Sequence, residues 1–309
     1  MARIHVTSHL VDEFSFPSSP RQAHPDLLRN PAESLSKAEH RQLVRDCLHL
    51  LLKQGYSPLS YFAKDPQAYF NLGEYLALVD LSLTVKMGVQ YSLWGGSILN
   101  LGTEKHRKQY FTAVDQFHIP GCFAMTELKH GSNVAALQTE AVLDLATDEW
   151  VIHTPDDGAI KWWIGNAAED GRMATVFARL KIPSRVRAGA LDDFGVHAFV
   201  VPLRDSNGQP LHGVEIRDCG YKVGLQGVDN GAIRFRYDFL TRHNLAGRMA
   251  ALESLTRPHS YSATCACLAI TCLIGSRVLG GMVSTRVRWR RRGSGSRPHW
   301  GSSLAVGWG

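Results

Sequence analysis

Apolar residues recur at helical spacing through the first third of the chain. Leu43, Val44, Cys47, Leu48, Leu51 and Leu52 share one face, the spacing of a helix laid on a core. Ser36 followed three residues on by Glu39 forms a capping-box pair, and Gly55 stops the run. A second helix is predicted from about Gly73 to Gln90. Its apolar residues (Leu76, Leu78, Val79, Leu81, Leu83, Val85, Met87) lie nearly all round, so burial is expected. A third, Thr103 to Phe111, opens after Gly102 with Lys105, Arg107 and Lys108 on its wet side. Near His118 the period changes. Short apolar runs now alternate with turns: Gly121–Met125, Gln138–Leu143, Trp150–His153, Ala174–Leu180, Val196–Pro202, Val214–Arg217 and Ala232–Tyr237. The turn residues are Pro155-Asp-Asp-Gly158, Ser206-Asn-Gly208 and Asp229-Asn-Gly231. Regular short strands with such turns predict an antiparallel sandwich or barrel. The expected class is α+β: a helical region over 36–117, then a β-region over 118–245.

Both ends read differently. Residues 1–35 hold Pro17, Pro20, Pro25 and Pro31 among polar residues, an extended arm. Residues 246–309 lose period and caps. They contain Arg286-Val-Arg-Trp-Arg-Arg-Arg292 and a run of Gly and Ser, and read as a tail not shaped for folding. Ala263 to Gly275 is apolar but Arg277 ends it. A spanning helix needs about 20 apolar residues, so a cut-off core helix is the expectation, with no membrane partner.

Charge changes the picture little. The chain carries a formal +6, but the segment from Arg277 onward holds seven Arg and no acid. The rest balances 27 bases against 28 acids. A nucleic-acid surface would interleave bases with aromatics on a folded face, so no nucleic-acid partner is expected. The six cysteines show no C-x-x-C spacing and three share one apolar run, which fits thiols packed as small apolar groups in a reducing compartment. His130, His153 and His197 have no ligand spacing, so no metal site is expected. No basic-then-apolar leader opens the chain.

Two segments carry candidate chemistry. In Cys122-Phe-Ala-Met-Thr-Glu-Leu-Lys-His-Gly-Ser-Asn133 a strand delivers Met125, Thr126 and Glu127 into a loop with Gly131, Ser132 and Asn133. Small residues and exposed N–H groups at a strand end suit a phosphate or a flat polar ring edge; a plain hairpin turn is the bland alternative. In Ile160-Lys-Trp-Trp-Ile-Gly-Asn-Ala167 paired tryptophans precede a glycine. A flat cofactor can stack on an indole such as Trp163, and Gly165 permits close backbone approach; core packing is the common fate of Trp.

Together the two motifs resemble the peroxisomal acyl-CoA oxidases of the acyl-CoA dehydrogenase/oxidase superfamily. Tyr91–Thr103 with Lys105-His106, Gly195–Asp205 and Gly220–Gly231 agree, and Gln226-Gly-Val-Asp-Asn-Gly231 resembles the plant medium-chain branch. The resemblance covers roughly residues 36–245. It implies FAD as cofactor, acyl-CoA as substrate and a homodimer in the intact family. It implies α,β-dehydrogenation to a trans-2-enoyl-CoA, with O2 reduced to H2O2. It places Met125, Thr126, Trp163 and Gly165 at the flavin and Ser132 where the loop nears the acyl-CoA. The family's carboxylate base lies in a further helical region that the matched stretch does not reach, so no catalytic residue is assigned and little turnover is expected. The alternative is a non-catalytic fragment or partner subunit of a full-length acyl-CoA oxidase. Glu127 reads as a structural part of its loop. Lys129 stands where the family has Gly, which implies strain of about 1 kcal/mol if that position needs a positive φ. The Arg242-His-Asn-Leu245 segment lacks the usual preceding Pro, and Glu253 has no matching surroundings. A peroxisomal location is implied. Arg3-Ile-His-Val-Thr-Ser-His9-Leu10 resembles the N-terminal peroxisomal signal with a spacer one residue short, while a C-terminal Ser-Lys-Leu is absent.

Overall fold

The computed structural model describes residues 35–184, 186–236 and 240–241. The expected arm before residue 35 and the tail beyond 245 lie outside the described residues, as do Arg242–Leu245 and Glu253.

The helical region begins as its cap foretells. Ser36 accepts from the Glu39 N–H, and the Glu39 carboxylate accepts from the Ser36 N–H, opening α1 (Lys37–Lys53). Short helices α2 (Pro58–Lys64) and α3 (Pro66–Val79) follow, each with Pro in its first turn. The single helix expected over 73–90 is in fact broken at Asp80. That residue is extended (φ −156°), caps Ser82, and meets His40 Nε2 at 2.6 Å. Its short acid side chain competes for backbone N–H groups, so it ends one helix by starting the next. From Leu81 the chain is one rod: α4 (Leu81–Met87), a π-helical segment (Gly88–Gly95), then α5 (Gly96–Leu101). The third predicted helix is α6 (Glu104–Asp115), capped by Thr103 and His106.

The β-region is a curled mixed sheet beside a small antiparallel one. The strands are β1 (Gly121–Ala124), β2 (Glu140–Asp144), β3 (Glu149–His153), β4 (Lys161–Ile164), β5 (Met173–Pro183), β6 (Leu191–Pro202), β7 (Val214–Asp218), β8 (Gly231–Phe235) and β9 (Leu240–Thr241). The large sheet runs β1-β5-β2-β3-β9, with β6 also on β5; the small one runs β4-β8-β7. The α+β class stands, but the expectation of purely antiparallel strands is corrected. β1 pairs with β5 in parallel over Gly121–Ala124, and β2 does so over Glu140–Val142. The reason is an interruption. β1 and β2 lie end to end along one edge of β5 and point the same way. The segment between them, Met125–Thr139, is an excursion from what is otherwise one strand line.

Two cores form. One fills the sheets around Trp150, Val176, Phe199 and Phe235; the other fills the helices around Leu48, Leu72, Tyr69 and Trp94. Gly121 marks a close approach between them: a Cβ there would stand 2.4 Å from the Trp94 ring. Charge joins the regions as well. Lys37, Arg41 and Arg45 share one face of α1. Lys37 meets Asp218 at 2.9 Å, Arg41 meets Glu169 at 2.5 Å and Asp218 at 2.6 Å, and Arg45 meets Glu169 at 2.9 Å. Deeper, Lys86 on α4 reaches Asp170 at 2.5 Å, Asp229 at 2.7 Å and Asn166 at 2.9 Å. Asp229 therefore does not serve the Asn-Gly turn read from sequence. β7 and β8 are joined by the longer loop 219–230, and Asp229 inside it is the anchor to the helical region.

Candidate functional site

The excursion between β1 and β2 lies beside β4 of the small sheet. Glu127 and Lys161 pair as an antiparallel bridge, and Trp162 donates its N–H to the Thr126 carbonyl at 3.0 Å. The Thr126 hydroxyl returns a bond to the Trp162 carbonyl at 2.7 Å. The two motifs singled out in sequence are thus brought together as neighbouring strands.

The paired tryptophans have a geometric explanation. Lys161 opposes Ile233 and Ile164 opposes Gly231, so β4 carries one residue more than β8 between these partners. This is a β-bulge, which breaks the strict alternation of strand side chains. Lys161 and Ile164 are buried, while Trp162 and Trp163 are both exposed, at 38% and 51%. Trp163 holds a left-handed φ of +63°, and Asn166 one of +64°. That conformation costs an L-residue with a bulky side chain about 1–2 kcal/mol. Such strain at a surface-facing aromatic is characteristic of sites shaped for a ligand.

The remaining predicted residues are placed as follows. Met125 is buried beneath the face, 4% exposed. Ser132 is exposed on the excursion. Gly165 is half-buried, and a Cβ there would lie 2.7 Å from Val89 Cγ2. The π-helical segment therefore already requires glycine at that position. The strain expected at Lys129 is absent: its φ is not positive, and its N–H bonds the Gly158 carbonyl at 3.0 Å. Its aliphatic stem covers Gly158, where a Cβ would come 2.2 Å from Lys129 Cδ.

Beneath the face lies a charge that the sequence reading did not single out. Lys161 sits in an apolar run and is fully buried. A buried ammonium needs partners; Lys161 donates to the Phe177 carbonyl at 2.7 Å, to Glu127 Oε1 at 3.1 Å and to the Met125 carbonyl at 3.2 Å. Burial pulls this ammonium down to about 8, against the pull of Glu127 in the other direction. Burial alone would raise the Glu127 carboxyl. Lys161, the Thr139 hydroxyl and the N–H groups of Gln138 and Thr139 outweigh it and hold Glu127 below its ordinary value. Glu127 is thus an ionised structural carboxylate. The clue available in sequence was a lone Lys within an apolar run. The same clue marks Lys86 in a helix apolar nearly all round.

The face suits a flat ring with polar edges. The side chains of Trp162 and Trp163 are both exposed at the bulge. The Thr126 hydroxyl, which donates to Trp162, still has lone pairs to accept from a ring N–H. Asn230 donates to the Trp163 carbonyl at 3.1 Å and ties loop 219–230 to its rim. The donor and acceptor chemistry fits an isoalloxazine edge.

Comparison with known proteins bears on the family and the fold. The acyl-CoA dehydrogenase middle-domain model matches residues 122–237. The chain is 57% identical over 226 residues to a peroxisomal protein of Arabidopsis thaliana, acyl-coenzyme A oxidase 2, covering 72% of this chain and 32% of that relative. Among solved structures, acyl-CoA oxidase 1 of Yarrowia lipolytica aligns with a TM-score of 0.59 and 30% identity, over 72% of this chain and 31% of that one. Acyl-CoA oxidase 1 of Caenorhabditis elegans, complexed with FAD and ATP, aligns with a TM-score of 0.58 and 26% identity, over 71% and 32%. The chain spans about a third of the length of these relatives. By its motifs, its fold and these likenesses, the chain belongs to the acyl-CoA oxidase family of oxidoreductases.

Proposed function

We propose that this chain carries the flavin-facing part of a peroxisomal acyl-CoA oxidase. The reaction of the whole protein is FAD-dependent α,β-dehydrogenation of an acyl-CoA. The observation that carries the reading is the bulge at Trp162–Trp163, set beside the Thr126 hydroxyl on one exposed face. Held there by Trp163 and Thr126, FAD would supply the redox chemistry of the reaction. The protein's own part is to present Trp163 to the ring, Thr126 to its edge, and Ser132 on the excursion toward the acyl-CoA. Gly165 keeps the helical region close behind that face.

The carboxylate nearest Thr126 does not serve as base. Glu127 is buried and accepts four hydrogen bonds, from Gln138 N, Thr139 N, Thr139 Oγ1 and Lys161. An α-proton is weakly acidic, so its removal requires a carboxylate within hydrogen-bond reach. The isolated chain should therefore bind FAD but release little H2O2 from saturated acyl-CoAs of any length. The test titrates FAD against tryptophan fluorescence and then assays H2O2. Quenching lost in Trp163→Ala supports the reading. Turnover like that of an intact oxidase, abolished by Glu127→Gln, would refute it.

A second reading is favoured by one feature. Tyr221, Val223 and Leu225 are exposed apolar residues on loop 219–230, a concentration that marks contact surfaces. On this reading the chain is a non-catalytic partner of a full-length acyl-CoA oxidase. Sedimentation of the chain mixed with such an oxidase separates the two.

A further inference from the structure

The side chains of Lys161 and Glu127 are buried, while their backbones pair directly beside Trp162 and Thr126. Strand alternation turns Met125 and Glu127 inward and leaves Thr126 between them; Lys161 likewise turns inward just before Trp162. The ammonium has three protons and no acceptor, and all three are committed: to Phe177 on β5, to Met125 at the end of β1, and to Glu127. Lys161 itself belongs to β4, so one side chain ties the large sheet to the small one. Glu127 closes the base of the excursion. The chain leaves through the Glu127 backbone and returns at Gln138 and Thr139, whose N–H groups each donate to its carboxylate at 2.9 Å. The Thr139 hydroxyl adds a bond of 2.6 Å. Ser132 lies between these two anchors.

Burying such a pair is a poor way to gain stability, because desolvation consumes most of the attraction and apolar residues of like volume do as well. What the pair supplies is direction. The geometry points to Lys161 and Glu127 as a positioning pair that holds Thr126, the Trp162–Trp163 bulge and the Ser132 excursion in one mutual arrangement. Its purpose rests on the flavin reading above; its measurement does not.

The test replaces both charges at once, Lys161→Met with Glu127→Gln, so that neither is left buried alone. Amide hydrogen exchange is read in the full chain without FAD, at residues 126–139 and 161–163, with α1 and α3 as internal reference. Exchange at least tenfold faster in those segments, with α1 and α3 unchanged, supports the proposal. Unchanged exchange in a folded double variant overturns it. If the double variant fails to fold, Thr139→Val removes one bond to Glu127 at constant volume. Faster exchange confined to 128–139 then supports positioning, and none overturns it. FAD affinity provides the second readout: a loss of tenfold or more in the double variant is expected. If the parent chain binds no FAD, the functional reading falls and hydrogen exchange alone decides the positioning role.

Discussion

Replacing Lys86 by Met should damage this chain more than any single change on its surface. Lys86 is 1% exposed and Asp229 0% exposed, with their charged atoms 2.7 Å apart. At an effective dielectric of about 20 that attraction is about 6 kcal/mol, most of it offset by the desolvation of both groups. Met keeps the bulk but strands the Asp229 carboxylate, whose other oxygen is already bound by the N–H groups of Glu169 and Asp170 at 3.0 Å. Removing one partner of a buried pair costs about 3–5 kcal/mol. Against the 5–15 kcal/mol typical of a folded domain, this corresponds to a fall in Tm of about 6–20 °C. The assay is urea unfolding followed by tryptophan fluorescence. Two controls bracket it. Lys86→Met with Asp229→Asn should recover part of the loss, because the fully buried charge is then gone and Asp170, the other partner of Lys86, keeps Arg45 at 3.3 Å. Arg45→Ala, whose partners are partly exposed, should cost about 1 kcal/mol or less. A Lys86→Met chain within about 1 kcal/mol of the parent would refute the claim that this contact holds helices to sheet.

Gly165→Ala should destabilise by about 1–3 kcal/mol through overpacking against Val89, and Val89→Ala in the same chain should restore the urea midpoint. Trp163→Asn should leave stability equal or higher, because Asn tolerates the left-handed φ of +63° at less cost, while FAD retention falls; a large loss of stability would show that the indole is core rather than site. The chain should also weaken in acid. Partial burial would raise Asp218, but hydrogen bonds from Arg41 and Lys37 hold it well below the usual carboxylate range. A carboxyl lower in the folded than in the unfolded state contributes fully above its unfolded value near 4 and loses that contribution as pH falls toward its folded value. Urea midpoints between pH 6 and pH 3 should therefore drop, and drop less in Asp218→Asn.

Much of the molecule is legible in local pattern. The capping pair Ser36 and Glu39, the run of α1, and the change of period near His118 depend on neighbours a few residues apart, and so survive in the sequence alone. The two motifs that identify the family are equally local. The direction of strand pairing is not. An inward–outward alternation is the same for a parallel and an antiparallel partner, so nothing within Gly121–Ala124 announces that it runs parallel to Met173–Val176. Only the fold shows that β1 and β2 are one line broken by the excursion that carries Thr126 and Ser132. The bulge at Trp163 arises the same way, because an extra residue exists only relative to the strand opposite. The roles of Lys86, Lys161 and Asp229 are tertiary for a further reason: a buried charge is tolerated through partners that sequence places far away, 143 residues apart for Lys86 and Asp229. Sequence thus determined the elements and the family, while long-range pairing decided which side chains face outward to form a site and which charges hold it in place.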